Sequence, residues 1–342
     1  MSYAETMACV VAITACLSWG VTDAVRRHAL RHSILDIPNA RSAHAVPTPR
    51  GGGLAIVATF MCAVAFLMAI GMLRAGVAWV LLLGGGSIAL VGYLDDRRPM
   101  PALVRFCVHL GAAALGVFVL GGVAEESLRH VGLHGIWAGG ALALVVLSWS
   151  TNMFNFMDGI DGIAGSEAVF AASAGALINW RFGGDPGLTG TMLILAAATL
   201  GFLIWNWPPA RIFMGDAGSG FLGFTLALLG LAASRAGPMP IEVWAILGAV
   251  FLVDATVTLI TRAARGEPWF EAHSSHTYQA LARRWNGHLR VTRWVIAIDV
   301  LWLLPWAWAA ASRPAHALAC MAAALAPLVA LAVGFGAGHR PR

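Results

Sequence analysis

The sequence contains no lysine, and all 22 of its basic residues are arginine. This absence excludes phosphate-binding loops of the Walker type and Schiff-base chemistry, because both depend on a lysine. The five cysteines lie in apolar stretches without CxxC spacing, which argues against a disulfide framework or a zinc site. Charged residues make up only 11% of the chain. Soluble domains carry about 25%, so a soluble globular fold is excluded.

What the chain has instead is apolar sequence, which recurs over its whole length and makes up 59% of its 342 residues. A helix that spans a membrane needs about 20 such residues. The pattern predicts a single integral membrane domain over 1–342, an all-α polytopic bundle of about ten or eleven transmembrane helices. The predicted spans are 4–22, 52–72, 77–94, 103–123, 135–154, 162–180, 187–205, 217–234, 240–261, 293–312 and 315–336.

The arginines are distributed unevenly between the predicted loops. Fifteen flank the odd-numbered loops, five flank the even-numbered ones and two lie in the C-terminal tail. The positive-inside rule then places the odd loops in the cytoplasm and the N-terminus outside. Glu5 precedes the first span and two arginines follow it, the reverse of a cleaved signal peptide, so we expect this span to be retained. The arginines of the cytoplasmic loops, which also attract anionic lipid head groups, explain the basic pI. We therefore predict a lipid bilayer as partner and no binding of nucleic acid.

Five acidic residues converge on the predicted cytoplasmic side. The third loop contains Asp95 and Asp96, the fifth contains Asp158 and Asp161, and Asp216 lies in the seventh. A charged side chain inside the hydrocarbon costs about 2.5–3.5 kcal/mol on insertion scales, so acids near the membrane are usually either solvated or functional. For Asp95 and Asp96 alone a solvated helix end explains the sequence equally well. The joint pattern favours a functional site.

The fifth and seventh loops have the most informative local sequence. Asn152, Asn155 and Asp158 recur every three residues and lie on one helix face, and Asp161 follows between glycines. A polar seam between helices is the alternative, but a seam does not explain two carboxylates and several glycines at one end. Asp216 opens a span among small residues, a setting suited to anions and to a metal held between carboxylate and phosphate.

The residue types also indicate which metal and which chemistry to expect. Oxygen ligands from Asp and Asn favour Mg²⁺, or Mn²⁺, over zinc, and Mg²⁺ usually shares its coordination with substrate phosphates. This points to phosphoryl transfer. Arg50 and His44 of the first loop are candidates for holding phosphates, although simple membrane anchoring explains such residues equally well. For His273 and His276 of the ninth loop we favour phosphate or sugar contacts over a metal.

Four elements in order resemble the polyprenyl-phosphate N-acetylhexosamine-1-phosphate transferases. They are PTPRGGG, the pair Asp95-Asp96, the segment NMFNFMDGIDGIAG with FMGDAGSGFLG after it, and HSSH, and they lie within residues 36–285. The resemblance implies a helical bundle in the bacterial inner membrane with a cytoplasmic catalytic cleft. It also implies transfer of a sugar 1-phosphate from a UDP-N-acetylhexosamine to undecaprenyl phosphate with release of UMP, which initiates O-antigen or another envelope polysaccharide.

Roles for single residues follow from the same resemblance. Asn155 and Asp216 match the positions that bind magnesium, with Asp95 and Asp96 nearby. Asp158 and Asp161 match carboxylates on the nucleotide side, and Phe213 matches an aromatic that stacks on uracil. We take Asp95, Asp96 and Asp158 as catalytic, with Asp95 as general base, and add Asn152 as a substrate contact. HSSH differs from the three consecutive histidines of the peptidoglycan branch, which argues against a muramyl-peptide donor.

Several alternatives stay open at this level. An ion-coupled transporter also places acids among membrane helices, but near mid-bilayer and often with internal repeats. CDP-alcohol phosphotransferases need Ala-Arg soon after their first Asp-Gly, whereas Asp158-Gly159 is followed here by Ile-Asp-Gly-Ile. Within the favoured reaction, direct attack by the lipid phosphate competes with a covalent aspartyl-phosphate. A homodimer is compatible with the sequence, because an apolar surface serves lipid and partner alike.

Overall fold

The computed structural model describes residues 2–38, 46–130, 132–237, 239–267 and 273–339, and most of them are helical. Two short strands, β1 (Leu35–Asp36) and β2 (Thr48–Pro49), pair antiparallel. The helices are α1 Tyr3–Arg31, α2 Gly53–Ala69, α3 Ala75–Trp79, α4 Gly86–Arg97, α5 Ala102–Leu120, α6 Glu125–His130, α7 Ile136–Met157, α8 Ile163–Arg181, α9 Pro186–Asn206, α10 Asp216–Ala236, α11 Ile241–Leu247, α12 Ala249–Ala264, α13 Thr277–Arg284, α14 His288–Ile298, α15 Leu304–Ser312 and α16 Ala317–Gly334.

Three shorter helical turns complete the main chain. A π-helical turn, Val80–Gly85, joins α3 to α4, and a second, Asp299–Leu303, joins α14 to α15. A 3₁₀ turn, Pro314–His316, precedes α16. Each π-turn continues its helix without a break. There are therefore two long continuous apolar helices, one from α3 to α4 and one from α14 to α15.

The all-α polytopic class is confirmed, but the predicted number of ten or eleven spans is not. In the described parts of the chain, eight helices are long and apolar enough to cross a membrane, and up to nine if α11 and α12, bent by 79°, form one span. Every predicted span coincides with a helix. However, α2 has only 17 residues, and α8 is not among the eight. Helix α8 contains Glu167, Asn179 and Arg181 among many small residues, so it is less apolar than the eight helices.

The centre of the bundle is α10, which packs against α2, α4 and α7. Helix α10 is apolar on all sides, as expected for a helix enclosed by others, and its Phe221 meets Phe60 of α2 edge-on at 5.7 Å between ring centroids. Its glycines permit close approach. Gly218 faces Gly53 of α2, and Gly223 faces the backbone of α7. The GxGxxG pattern at 218–223 is therefore a small-residue packing surface, which is common between membrane helices.

Backbone pairing joins the first and seventh loops. The Phe213 N–H donates to the Pro49 carbonyl at 2.8 Å, and the N–H of Gly52 donates to the Phe213 carbonyl at 2.9 Å. A third bond runs from the Gly53 N–H to the Met214 carbonyl, also at 2.9 Å. The glycines allow this approach because a side chain at Gly52 would meet Phe213 and the ring of Phe202. Two loops far apart in sequence thus form one wall.

The fifth loop is joined to the seventh through Asn206. Gly162, at φ +75°, turns the chain between α7 and α8. Its N–H donates to Asn206 Oδ1 at 2.9 Å, and Asn206 Nδ2 donates to the Ile212 carbonyl at 2.9 Å. Asn206 is 3% exposed, so both bonds are shielded from water. Three loops are therefore fixed at the same end of the bundle.

We predict that Gly92→Ala destabilises the protein. A Cβ at Gly92 would lie 2.6 Å from the Ala217 nitrogen and the Asp216 carbonyl carbon, so α4 and α10 would have to separate. Overpacking of this kind costs about 1–3 kcal/mol, which thermal unfolding in detergent would detect. Gly111→Ala of α5 is the control, because nothing lies within 4 Å of its Cβ position. Equal stability of the two variants would contradict the close approach.

Candidate active site

A cleft of about 270 Å³ opens at the end of the bundle where these three loops meet. Its walls come from the strands, the three loops and the first residues of α10 and α14. The lining residues are Asp36, Arg50, Asp96, Asp158, Gly159, Ile160, Asp161, Asn206, Phe213, Met214, Gly215, Asp216, Gln279 and His288. The structure therefore brings Asp96, Asp158, Asp161 and Asp216 together from separate segments, as the sequence predicts, and adds Arg50 and Phe213 to the same cleft.

Asp95 lies beside this group and is held by Arg105. Arg105 Nη1 is 2.5 Å from Asp95 Oδ2 and 3.6 Å from Asp216 Oδ2, so one guanidinium bridges two of the predicted acids. The other oxygen, Asp95 Oδ1, accepts the N–H of Met100 at 2.6 Å. Both carboxylate oxygens are thus engaged, and Asp95 is not among the residues that line the cleft. The structure therefore favours Asp96 over Asp95 for contact with a substrate.

Asp96 lies against the start of α10. Its carboxylate interacts with the backbone N–H groups of Asp216 and Ala217, where the positive end of the helix dipole favours an anion. A Cβ at Gly215 would lie 2.6 Å from Asp96 Oδ2, and Gly215 has φ +79°. Glycine is therefore required there for both space and backbone conformation. Arg50 Nη1 approaches Asp96 Oδ1 at 3.9 Å.

Asn155 and Asp216, the predicted magnesium ligands, lie on adjacent helices. Ser219, one turn into α10 from Asp216, donates its hydroxyl to Asn155 Oδ1 at 2.5 Å. Among the described residues no group of three or more His, Cys, Asp or Glu side chains forms a ready metal cage. Mg²⁺ commonly uses one or two carboxylates and takes its other ligands from water and phosphates. Asn155 and Asp216 offer only oxygen ligands, which fits this pattern of Mg²⁺ coordination.

The electrostatics of Asp158 give a second reason to expect a cation. Burial raises the pKa of the Asp158 carboxyl well above its usual value, and the nearby carboxylates of Asp216, Asp96 and Asp161 raise this pKa further. Neighbouring like charges disfavour the ionised form of each carboxyl group in the cluster. A divalent cation or a cationic side chain in the cleft would relieve the repulsion.

Asp161 is held from three directions. Its Oδ1 is 3.1 Å from His288 Nδ1, and its Oδ2 accepts the N–H of Ala210 at 3.0 Å. The Thr292 hydroxyl donates to the Asp161 carbonyl at 2.9 Å. The carboxylate that the sequence assigns to the nucleotide side therefore has a fixed position at the cleft wall.

The HSSH segment packs at the start of α13, outside the cleft lining. His276 is 2% exposed, and its ring stacks on Tyr278 and His273 with centroids 5.7 and 4.9 Å apart. Asp254 accepts the N–H groups of Thr277 and Tyr278 at 2.9 and 3.0 Å and lies 3.4 Å from His276 Nδ1. These contacts cap the start of α13. Neither histidine lines the cleft, and the neighbouring Gln279 does.

His273 is also unsuited to carrying a positive charge toward a phosphate. Burial lowers its pKa to about 4, with further lowering by His276 and Arg262. The ring is therefore neutral near pH 7, and its Nδ1 lies 3.1 Å from the Ser275 hydroxyl. In the structure the histidine pair packs at the start of α13, and its contact with a substrate stays a prediction.

Two further predictions do not place residues in the cleft. Asn152 donates to the Ser148 carbonyl at 2.7 Å, one helical turn back, and interacts with the buried His109 of α5. It lies deeper in α7 than Asn155 and is not part of the cleft wall. A role as a substrate contact is therefore not supported by its position. His44 lies outside the described residues.

Several residues of the site had no distinctive sequence signal. Arg105 counts as an ordinary positive-inside arginine in the sequence. His288 begins α14 and Gln279 lies in the short helix α13, and neither belongs to a sequence motif. Asn206 was visible only as the residue before a Trp-Pro-Pro run. Their importance comes from tertiary contacts between loops that sequence spacing does not reveal.

Comparison with known proteins places these features in a family. The sequence model described as Glycosyl transferase family 4 matches residues 78–234. A Bacillus subtilis protein named a probable undecaprenyl-phosphate N-acetylglucosaminyl 1-phosphate transferase is 32% identical over 267 residues, which cover 76% of this chain and 73% of the relative. A Mycobacterium tuberculosis decaprenyl-phosphate N-acetylglucosaminephosphotransferase is 30% identical over 344 residues, covering 90% and 82%.

An Escherichia coli undecaprenyl-phosphate alpha-N-acetylglucosaminyl 1-phosphate transferase is 27% identical over 272 residues, covering 75% and 71%. Together, the helical bundle and these relatives define a multi-pass membrane enzyme of the transferase class. The chain belongs to the family of polyprenyl-phosphate N-acetylglucosaminyl-1-phosphate transferases. The resemblance stated from the motifs is confirmed.

We predict that Asp158→Asn raises stability at alkaline pH in the presence of chelator. Since the pKa of Asp158 is raised in the folded state, the folded chain holds a proton that the unfolded chain has released between about pH 3.9 and the raised folded-state pKa, and stability falls across this window. Its ionisation then costs stability as the pH rises. The apparent Tm of the variant should exceed the wild-type value by about 2 °C or more at pH 8. This difference should shrink toward pH 4.

The matched control for this experiment is Glu126→Gln, an exposed acid at the start of α6. Its Tm should follow the wild-type pH profile. Parallel pH profiles for wild type and Asp158→Asn would contradict the crowding of carboxylates described above.

Proposed function

We propose that this protein transfers N-acetylhexosamine 1-phosphate from a UDP-sugar to undecaprenyl phosphate and releases UMP. The observation that supports this most strongly is the cleft, where five carboxylates and Arg50 from separate segments of the chain meet beside Arg105. Positive and negative groups arranged in this way suit a diphosphate and its metal ion. The names of the relatives support a polyprenyl-phosphate acceptor and an N-acetylglucosaminyl 1-phosphate group.

Mg²⁺, or Mn²⁺ in its place, is part of this proposal. Asn155 and Asp216 would hold the ion, with Asp96 next to them at the start of α10. Such an ion supplies positive charge that stabilises a diphosphate leaving group. Arg105 already neutralises part of the charge on Asp95 and Asp216, so the protein contributes its own cation to the same cluster.

The remaining cleft residues divide between the two substrates. Phe213, which pairs with Arg50 of the first loop, and the carboxylate of Asp161, which accepts the Ala210 N–H, both line the cleft, and we assign them to the nucleotide. Arg50 has its guanidinium partly exposed near Asp96, and we assign it to phosphate oxygens. The acceptor phosphate must then reach the sugar-bearing phosphate from the membrane side.

Direct attack by the lipid phosphate is the route we favour. A phosphate monoester has a second pKa of about 6 and is largely dianionic at neutral pH, so it needs orientation more than deprotonation. Both carboxylate oxygens of Asp95 already have partners, the Met100 N–H and Arg105, so Asp95 is poorly placed to accept a proton. This agrees with a route in which a general base contributes little. The alternative is attack by an aspartate to give an aspartyl-phosphate. Asp96 and Asp158, which the sequence analysis takes as catalytic, line the cleft and are the candidates for this attack.

The location of the reaction is also a proposal. The distribution of arginines favours a cleft in the cytoplasm, an N-terminus outside and the inner membrane of a bacterium. We propose initiation of O-antigen or another envelope polysaccharide as the cellular role, since the lipid-linked sugar is a starting unit for a polymer. The HSSH segment supports this assignment over the peptidoglycan branch.

We predict UMP release when purified protein is incubated with undecaprenyl phosphate and a UDP-N-acetylhexosamine. UDP-GlcNAc, UDP-N-acetylfucosamine and UDP-N-acetylquinovosamine form the donor panel, and chelator should abolish the reaction. Asp216→Asn should lower kcat by about a hundredfold or more, because the charge stabilisation by a catalytic metal is worth several kcal/mol. Glu126→Gln serves as the control and should retain wild-type activity.

Full activity of Asp216→Asn at saturating Mg²⁺ would refute the proposed metal site. An absence of UMP with every donor of the panel would refute the proposed reaction. Incubation with labelled donor in the absence of acceptor separates the two routes, since a phosphorylated protein would favour the aspartyl-phosphate over direct attack.

A further inference from the structure

His288 lies at the cleft without a role in the function proposed above. It is the first residue of α14, and it lines the cleft although it is separated from the HSSH segment by the whole of α13. Its side chain is 15% exposed and that of its partner Asp161 is 12% exposed. Both groups are therefore largely shielded from water, where a charge-assisted hydrogen bond is stronger than at the surface.

The contact geometry defines what His288 does for Asp161. His288 Nδ1 is 3.1 Å from Asp161 Oδ1. The same Nδ1 lies 3.4 Å from the Asp161 backbone nitrogen, whose N–H points at it. With its proton on Nδ1 the imidazole donates to the carboxylate, and in the other tautomer Nδ1 accepts the backbone N–H. Both contacts link α14 to Asp161. The second oxygen of Asp161 accepts the Ala210 N–H at 3.0 Å. The two oxygens are thus held by two different elements, α14 and the loop before α10.

Helix α14 also holds the backbone of the same residue. Thr292 lies four residues after His288 and therefore on the same face of the helix. Its hydroxyl donates to the Asp161 carbonyl at 2.9 Å, and the Thr292 side chain is fully buried. One helix face thus fixes both the side chain and the main chain of Asp161.

Asp161 needs this support because of its neighbours. It stands in the turn between α7 and α8, two residues after Gly159 and directly before Gly162, and glycines give a chain wide conformational freedom. A carboxylate in such a turn can rotate between several orientations. A binding group contributes fully only when its orientation is fixed before the ligand arrives.

We infer that His288 is a positioning residue that holds the Asp161 carboxylate in the orientation needed to bind the nucleotide part of the donor. The ligand chemistry that fits is a pyrimidine base with an N–H donor, because an oriented carboxylate accepts such a hydrogen bond. This inference rests on the proposed function, which assigns Asp161 to the nucleotide. His288 itself needs no contact with the reacting phosphates.

The test compares His288→Leu with His288→Asn in the UMP-release assay. Leucine removes the hydrogen bond to Asp161, whereas asparagine can place its amide N–H close to the position of Nδ1. For His288→Leu we expect the KM for the UDP-sugar to rise about tenfold or more, the size of a lost hydrogen bond to a charged group. The kcat and the KM for undecaprenyl phosphate should change less than about threefold. Asparagine should restore most of the donor KM.

A second readout uses UMP binding, which needs no turnover. Calorimetric titration with UMP should show a Kd raised by about the same factor for His288→Leu, and Thr292→Val should show a smaller change in the same direction. His288→Leu should add no further loss to Asp161→Asn, because both changes remove one interaction. His316→Leu, an exposed histidine before α16, is the control and should bind UMP like the wild type.

Several results would overturn the inference. They are a lower kcat with an unchanged donor KM in His288→Leu, a defect in His288→Asn as large as that in His288→Leu, and losses of UMP affinity that add to that of Asp161→Asn. Thermal unfolding of each variant identifies loss of the fold, and the asparagine and Thr292→Val variants decide the outcome if leucine prevents folding. Failure of the proposed reaction is distinct, since wild-type protein would then release no UMP from any donor.

Discussion

The repulsion between carboxylates at one end of an apolar bundle is the constraint on which the rest of the site depends. Asp96, Asp158, Asp161 and Asp216 face one cleft, and the other three raise the electrostatic cost of ionising Asp158. Bound cations, or protons on some of the carboxyl groups, relieve this repulsion. The protein supplies part of the balancing charge itself. Arg105 contacts Asp95 and Asp216. The negative charge of the other acids in the cleft is not balanced by Arg105, and a further cation would balance it.

The fold provides the close approaches that this cluster requires. Gly92 allows α4 to touch the start of α10, so that the acids at the end of α4 come within reach of Asp216. Gly215 leaves space for the carboxylate of Asp96 at the same helix start. Backbone bonds between the first and seventh loops then close one wall. Local sequence features that are unremarkable by themselves therefore determine the charge arrangement, and through it the chemistry that the cleft supports.

Sequence reasoning reached the acidic cluster because charge in an apolar chain is rare and therefore informative. It located Asp158, Asp161 and Asp216 on one side, and the structure brings them together. It did not locate His288, because a single histidine after a glycine has no spacing pattern. It also did not indicate the contact between the buried His276 and Asp254 at the start of α13. Such assignments require tertiary contacts, which no local pattern contains.

A direct test of the cation balance is Mn²⁺ binding measured by electron paramagnetic resonance, which reports free Mn²⁺ without any turnover. The account predicts about one bound Mn²⁺ per chain in the presence of UMP, lost in Asp216→Asn and retained in Glu126→Gln, because oxygen ligands hold Mn²⁺ much as they hold Mg²⁺. Equal Mn²⁺ binding by wild type and Asp216→Asn, or no binding by wild type, would contradict a shared cation among these carboxylates.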